Sequence, residues 1–135
     1  MFQNNNFFQN DDNGTVNGLS VKRVLRKHGK AIHFVESTKP LVSGEVVIQK
    51  VDWKRRFDHM QQHSGQHLIS AYFEKLLNID TLSWWMAENQ DNGKVGVSHI
   101  EMDAETIDSN MLDQVEQACN EAIRKHIEVI IKGLV

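Results

Sequence analysis

Along this chain the apolar positions switch between two spacings, a near-alternation and a three-to-four repeat. From Thr15 the stretch "TVNGLSVKRVLRKHGKAIHFVES" holds short β-branched runs broken by Asn17-Gly18 and His28-Gly29. That pattern predicts antiparallel strands joined by tight turns. "GEVVIQKVDW" continues it, with Val46, Ile48 and Val51 at apolar positions of a half-buried strand. Pro40 falls between strands, where a missing N–H costs little. Residues 15–53 are thus expected to form a small β unit.

The spacing then lengthens. From about Arg55 to Leu77, residues Phe57, Met60, Leu68, Ala71, Tyr72 and Leu76 make a stripe at helical intervals that predicts one long amphipathic helix. "TLSWWM" and "VGVSHIEM" read as two strands around the turn "ENQDNGK", tightest at Asn92-Gly93. Alternation puts one ring of Trp84-Trp85 inside and the other outward, where it could stack on a nucleic-acid base. A second helix follows, with Asp108 as N-cap and Met111, Leu112, Val115, Ala118, Ala122 and Ile123 as its apolar face. "IEVIIKGLV" reads as a closing apolar strand. Strands and helices in this order predict an α+β protein, a small N-terminal β unit followed by an antiparallel sheet layered with helices.

Composition narrows the class. The 135 residues suit one domain-sized core, and the net charge of -3 argues against a general nucleic-acid coat protein while leaving room for local basic patches. A single cysteine excludes an internal disulfide framework. Residues 1–14, rich in Asn, Gln and Asp with three phenylalanines, show no periodicity and are expected to be disordered, apart from the packed core. They contain neither the basic nor the apolar region of a secretory signal, and no apolar run reaches membrane-spanning length, so no membrane association and a cytoplasmic location are expected.

Candidate chemistry concentrates in "HMQQHSGQHLISAYFEKL". His59, His63 and His67 stand four apart, so each turns only about 40° from the last around a helix axis. His63 and His67 have the i, i+4 spacing that lets two imidazoles converge on one metal ion, as in helical zinc sites. Solvated or hydrogen-bonded histidines are the commoner reading of that spacing alone. A zinc-protease site would need Glu directly after the first histidine, where this chain has Ser64.

The flanking residues add a resemblance. "DWKRRFDHMQQHSGQHLISAYFEKL", together with "GTVNGLSVKRV" and "HFVE" before it and, more loosely, Trp84 and "VEQACNEAIRKHI" after it, resembles the editing domain shared by alanyl-tRNA synthetases and the freestanding AlaX-type alanyl-tRNA editing proteins. The resemblance covers about residues 11 to 130. It implies the editing-domain fold of threonyl- and alanyl-tRNA synthetases, with residues 54–135 forming its N-terminal part. It also implies a zinc-dependent hydrolase that deacylates mischarged seryl-tRNA(Ala) in trans, with the acceptor end of tRNA(Ala) as partner. Carried over by position, His63 and His67 match the family's first two zinc ligands, and Ser64 matches a residue lining its amino-acid pocket. His59 matches no ligand and is expected to pack beside the site.

Two departures qualify the resemblance. The family's Gly-Gly-Gln segment has no counterpart in "MFQNNNFFQN", and its Cys-x-x-x-His pair, which completes the zinc site, does not occur before Val135. The expectation is therefore an incomplete zinc site and a fold incomplete at its C-terminus, able to self-associate through an unpaired closing strand. Local substitutes are poor. Cys119 reads as a small buried hydrophobe. His126, at the end of the second helix, lies seven residues on, about 10 Å along the axis. His99 lies on a strand from which it could approach the pair. The clusters "KRVLRKHGK" and "KRR" could touch phosphates, or could be solvated faces balancing the acidic residues. A non-catalytic relative that binds tRNA or a partner is the rival of the hydrolase reading.

Overall fold

Two tight turns organise the first sheet. Asn17 and Gly18 have φ of 51° and 79°, and His28 and Gly29 have 50° and 76°, the double positive-φ signature of two-residue hairpins. The first turn joins β1 (Gly14–Val16) to β2 (Leu19–Lys27), and the second joins β2 to β3 (Lys30–Val35). With β4 (Gln49–Val51) they form a four-stranded antiparallel sheet in the order β3-β2-β1-β4. The computed structural model describes residues 11–87 and 96–130.

β1 sits between β2 and β4, pairing Gly14 with Val51 and Val16 with Gln49 on one side. The approach is close. A Cβ built on Gly14 would lie 2.2 Å from the Lys50 carbonyl oxygen, so this strand needs glycine there. β4 is shorter than the alternation predicted, because residues 45–48 form no strand and Val46 and Ile48 are exposed. Ile48 is held by Asn17 instead, which accepts its N–H at Oδ1 (2.8 Å) and donates its own N–H to the Ile48 carbonyl (2.8 Å).

Helix α1 (Trp53–Leu77) follows at once. Asp52 caps it, accepting the Arg55 N–H at 3.2 Å. The helix ends where Asn78 takes a left-handed conformation (φ 53°) and donates to the Glu74 carbonyl. Its buried line is not the predicted stripe. Phe57, Met60, Ala71 and Leu76 are exposed, whereas His59, Gln66 and Phe73, spaced by seven, are buried. Two members of that line are polar, so a pattern of apolar residues could not reveal it.

The chain divides into two compact units, residues 1–63 with 86–97, and residues 64–85 with 98–135. The second contains the C-terminal part of α1, the hairpin β5 (Thr81–Trp85) and β6 (His99–Met102), and α2 (Ser109–Arg124). β5 and β6 pair antiparallel with a bulge near Ser83. Phe73, Ile79, Val115 and Cys119 form the buried centre, packed by Leu68, Tyr72, Met102 and Met111. Burying a side chain of the size of Phe73 or Ile79 contributes on the order of 1.5–3 kcal/mol. These elements confirm the α+β class. The turn expected at Asn92-Gly93 lies outside the described residues.

Asp108 caps α2 as predicted, accepting the Met111 N–H at 2.8 Å. Its buried face is narrower than expected: Val115, Cys119 and Ala122 are buried, and Leu112 and Ile123 are exposed. His126 (φ 49°) closes the helix. Its N–H bonds the Ile123 carbonyl and that of Ile127 bonds Ala122, the paired bonds of a Schellman cap. The closing strand expected over 127–135 is not formed at 127–130, which have no regular structure; 131–135 lie outside the described residues. Residues 11–14, expected to stand apart, are anchored: the Asp11 carboxylate accepts the Val24 N–H at 3.0 Å, and β1 begins at Gly14.

Candidate functional site

α1 places the three histidines in different surroundings. His59 is 1% exposed, and its Nδ1 has no hydrogen-bond partner among the described residues. It is the polar packing residue expected from its position. His63 is half-buried and His67 exposed, on successive turns of one helical flank. Ser64 is exposed between them.

His67 has a fixed neighbour. The Trp84 ring meets it edge-on at 4.9 Å between centroids, and Trp84 is itself pinned by an Nε1–H donated to Ser70 Oγ at 3.0 Å. Ser70 lies three residues beyond His67, on the same side of the helix. One turn of α1 and one ring of β5 therefore orient this imidazole together. Trp85 takes the outward position and stacks on His99 at 5.3 Å. Gln66, buried, donates from Nε2 to the Trp85 carbonyl at 3.0 Å, with a longer contact to that of His99 at 3.5 Å, fastening the helix to both strands. Ser70 and Gln66 were not singled out in the sequence, because polar residues with carbonyl or ring partners carry no periodic signal.

Before the histidines stands an ionic pair. Arg56 Nε bonds Asp12 Oδ1 at 2.7 Å and its Nη2 bonds Oδ2, the bidentate fork that arginine suits best. The hydrogen bond from Arg56 lowers the Asp12 pKa. Burial opposes it, and the charges of Arg56, His59 and Arg55 assist. Arg55 donates from Nε to the Asp11 carbonyl at 3.1 Å. Part of the "KRR" cluster is therefore structural, tying the start of α1 to "DDNG".

Two imidazoles one turn apart supply half of a tetrahedral zinc set. Among the described residues no group of three His, Cys, Asp or Glu side chains is placed to hold a metal ion. The other candidates are occupied elsewhere. Cys119 is buried in the apolar centre, where burial pushes its thiol pKa up; His126 lies just past Lys125, the C-cap of α2; His99 lies against Trp85. The described residues do not make a metal centre by themselves.

No family model matches the chain. Individual relatives do. The alanyl-tRNA editing protein Aarsd1 of Danio rerio is 44% identical over 126 residues, covering 93% of this chain and 28% of that protein. Aarsd1 of Mus musculus is 43% identical over the same shares. The alanyl-tRNA editing protein AlaX-L of Pyrococcus horikoshii is 27% identical over 129 residues, 92% of this chain and 30% of that protein. An α+β chain with a long histidine-bearing helix is what these relatives match, the AlaX-L protein among them. The chain is thus similar to alanyl-tRNA editing proteins over 93% of its own residues, and spans about 28% of the length of those vertebrate relatives.

Proposed function

We propose that this chain is part of a zinc-dependent trans-editing hydrolase that deacylates mischarged seryl-tRNA(Ala). The supporting observation is His63-Ser64 and His67 on one flank of α1, in a chain 44% identical to a named alanyl-tRNA editing protein. In this reading His63 and His67 are two zinc ligands, and the remaining donors come from outside the described residues. Ser64, exposed between them, lines the amino-acid pocket.

The need for such an activity follows from binding energetics. A small pocket rejects an isostere carrying one extra hydroxyl poorly, so serine mistaken for alanine calls for a separate hydrolytic step. The Ser64 hydroxyl can both donate to and accept from a serine side chain, and has no such partner in alanine. The acceptor end of tRNA(Ala) is the partner.

The test is release of labelled serine and labelled alanine from mischarged and correctly charged tRNA(Ala). Serine is expected to be released preferentially, and Ser64→Ala to narrow that preference. Full serine-over-alanine discrimination in Ser64→Ala would remove Ser64 from the pocket. No hydrolysis of either ester, with the remaining donors supplied, would leave a non-catalytic tRNA-binding protein.

A further inference from the structure

The β2–β3 hairpin is electrostatically unlike the rest of the chain. Between Leu19 and Val35 there are five Lys or Arg residues (Lys22, Arg23, Arg26, Lys27, Lys30) and no Asp or Glu, in a protein of net charge -3. Lys22 pairs with Glu36 at 2.8 Å and Arg23 approaches Asp11 at 3.8 Å. Lys27 and Lys30 are exposed and have no carboxylate partner among the described residues.

The register sharpens this. Lys27 pairs directly with Lys30, Leu25 with Ile32, and Arg23 with Phe34, so these six share one face. Val24, Ala31 and His33, on the other face, line a cavity of about 270 Å³ with Asp12 and Arg56. The face bearing the lysines is therefore the one turned away from that cavity, the outer face. It carries Phe34 at 49% and Ile32 at 40% exposure. Like charges placed opposite each other weaken a hairpin. Here the His28-Gly29 turn sets two lysines opposite each other, with a half-exposed aromatic ring further along the same face. Cations tracking a backbone beside a ring open for stacking are what single-stranded nucleic acid requires.

We propose that the outer face of the β2–β3 hairpin is an RNA-contact surface, Lys27 and Lys30 meeting backbone phosphates and Phe34 stacking on an unpaired base. This names a second contact for the tRNA partner and rests on the reading of the chain as part of a tRNA-acting protein. The surface is independent of the histidine site, so the two can fail separately.

The experiment is fluorescence anisotropy of the 135-residue chain with labelled tRNA(Ala) and with a short unpaired RNA, over a series of salt concentrations. The K27A/K30A double variant is expected to weaken binding at low salt by roughly tenfold and to reduce the salt slope by about two units. Phe34→Leu is expected to weaken binding to the unpaired RNA about fivefold or more without changing the slope, and Phe34→Tyr to retain it. Thermal unfolding of K27A/K30A should be unchanged or raised, since its substitutions remove a like-charge pair. An unchanged affinity and slope in K27A/K30A overturns the proposal. So does a wild-type chain that binds neither RNA. Hairpin-dependent RNA binding in a protein that deacylates nothing supports the surface and rejects the editing reading.

Discussion

Arg56 holds both carboxylate oxygens of Asp12 across 44 residues of chain. Because this bond sets the Asp12 pKa below its usual 3.8, its stabilisation is present above the unfolded-state value and is lost as the pH falls through the folded one. Asp12→Asn should lower the urea midpoint near neutral pH. The two proteins should converge in acid, once the wild-type carboxylate is itself protonated. A gap that stays constant with pH would remove ionisation of this pair as a source of stability.

The metal prediction follows from the donor count. With His63 and His67 as the candidate pair, zinc should bind the 135-residue chain weakly and exchange readily. Replacing either histidine by alanine should abolish that binding, because one imidazole competes poorly with water. Calorimetric titration reads this directly. Tight one-to-one zinc persisting in His63→Ala would place the ligands elsewhere.

Cys119 should behave as a core residue. Its burial disfavours the thiolate, the form that reacts. A thiol reagent should label the native protein slowly and the denatured protein at once. Cys119→Ser should cost about 1–3 kcal/mol by setting a hydroxyl among Phe73, Ile79 and Val115. Rapid labelling of the native protein would show that this core opens.

Gly14→Ala should destabilise the first sheet by about 1–3 kcal/mol, since a new methyl group meets the Lys50 carbonyl and the backbone must shift. Hydrogen exchange should locate the damage in β1 and β4, with the β2–β3 hairpin less affected. Uniform loss of protection across all four strands would mean that the sheet opens as one unit.

What the sequence revealed divides along physical lines. The turns at Asn17-Gly18 and His28-Gly29, the Asp108 cap and the burial of Cys119 were legible, because each depends on a local requirement that few residues meet. The face of α1 was not. Its buried line passes through His59 and Gln66, and Gln66 is settled there by carbonyl oxygens of strands far along the chain. The closing strand is not formed at 127–130 for a related reason: apolar residues such as Val129 and Ile130 suit a strand, but a strand needs a neighbour, and these residues pair with none among the described residues. At the candidate site, the His63–His67 spacing was visible. The ring of Trp84 and its tether to Ser70, which orient His67, required the fold.

The stretch "DDNG" works as a buckle with a separate catch at each residue. Asp11 takes the Val24 amide, Asp12 takes Arg56, and Gly14 leaves room for the Lys50 carbonyl, whereas Asn13 contributes its own carbonyl to the Asp52 amide at 2.8 Å. The last catch uses backbone alone, so the side chain at position 13 is interchangeable. A library randomised over these four positions and selected for folding should return Asp, Asp, any residue, Gly. Because the four catches close on β2, α1, β4 and the α1 cap, inserting one residue anywhere among them would put at least one out of reach. Spacing here is as much a part of the message as residue type.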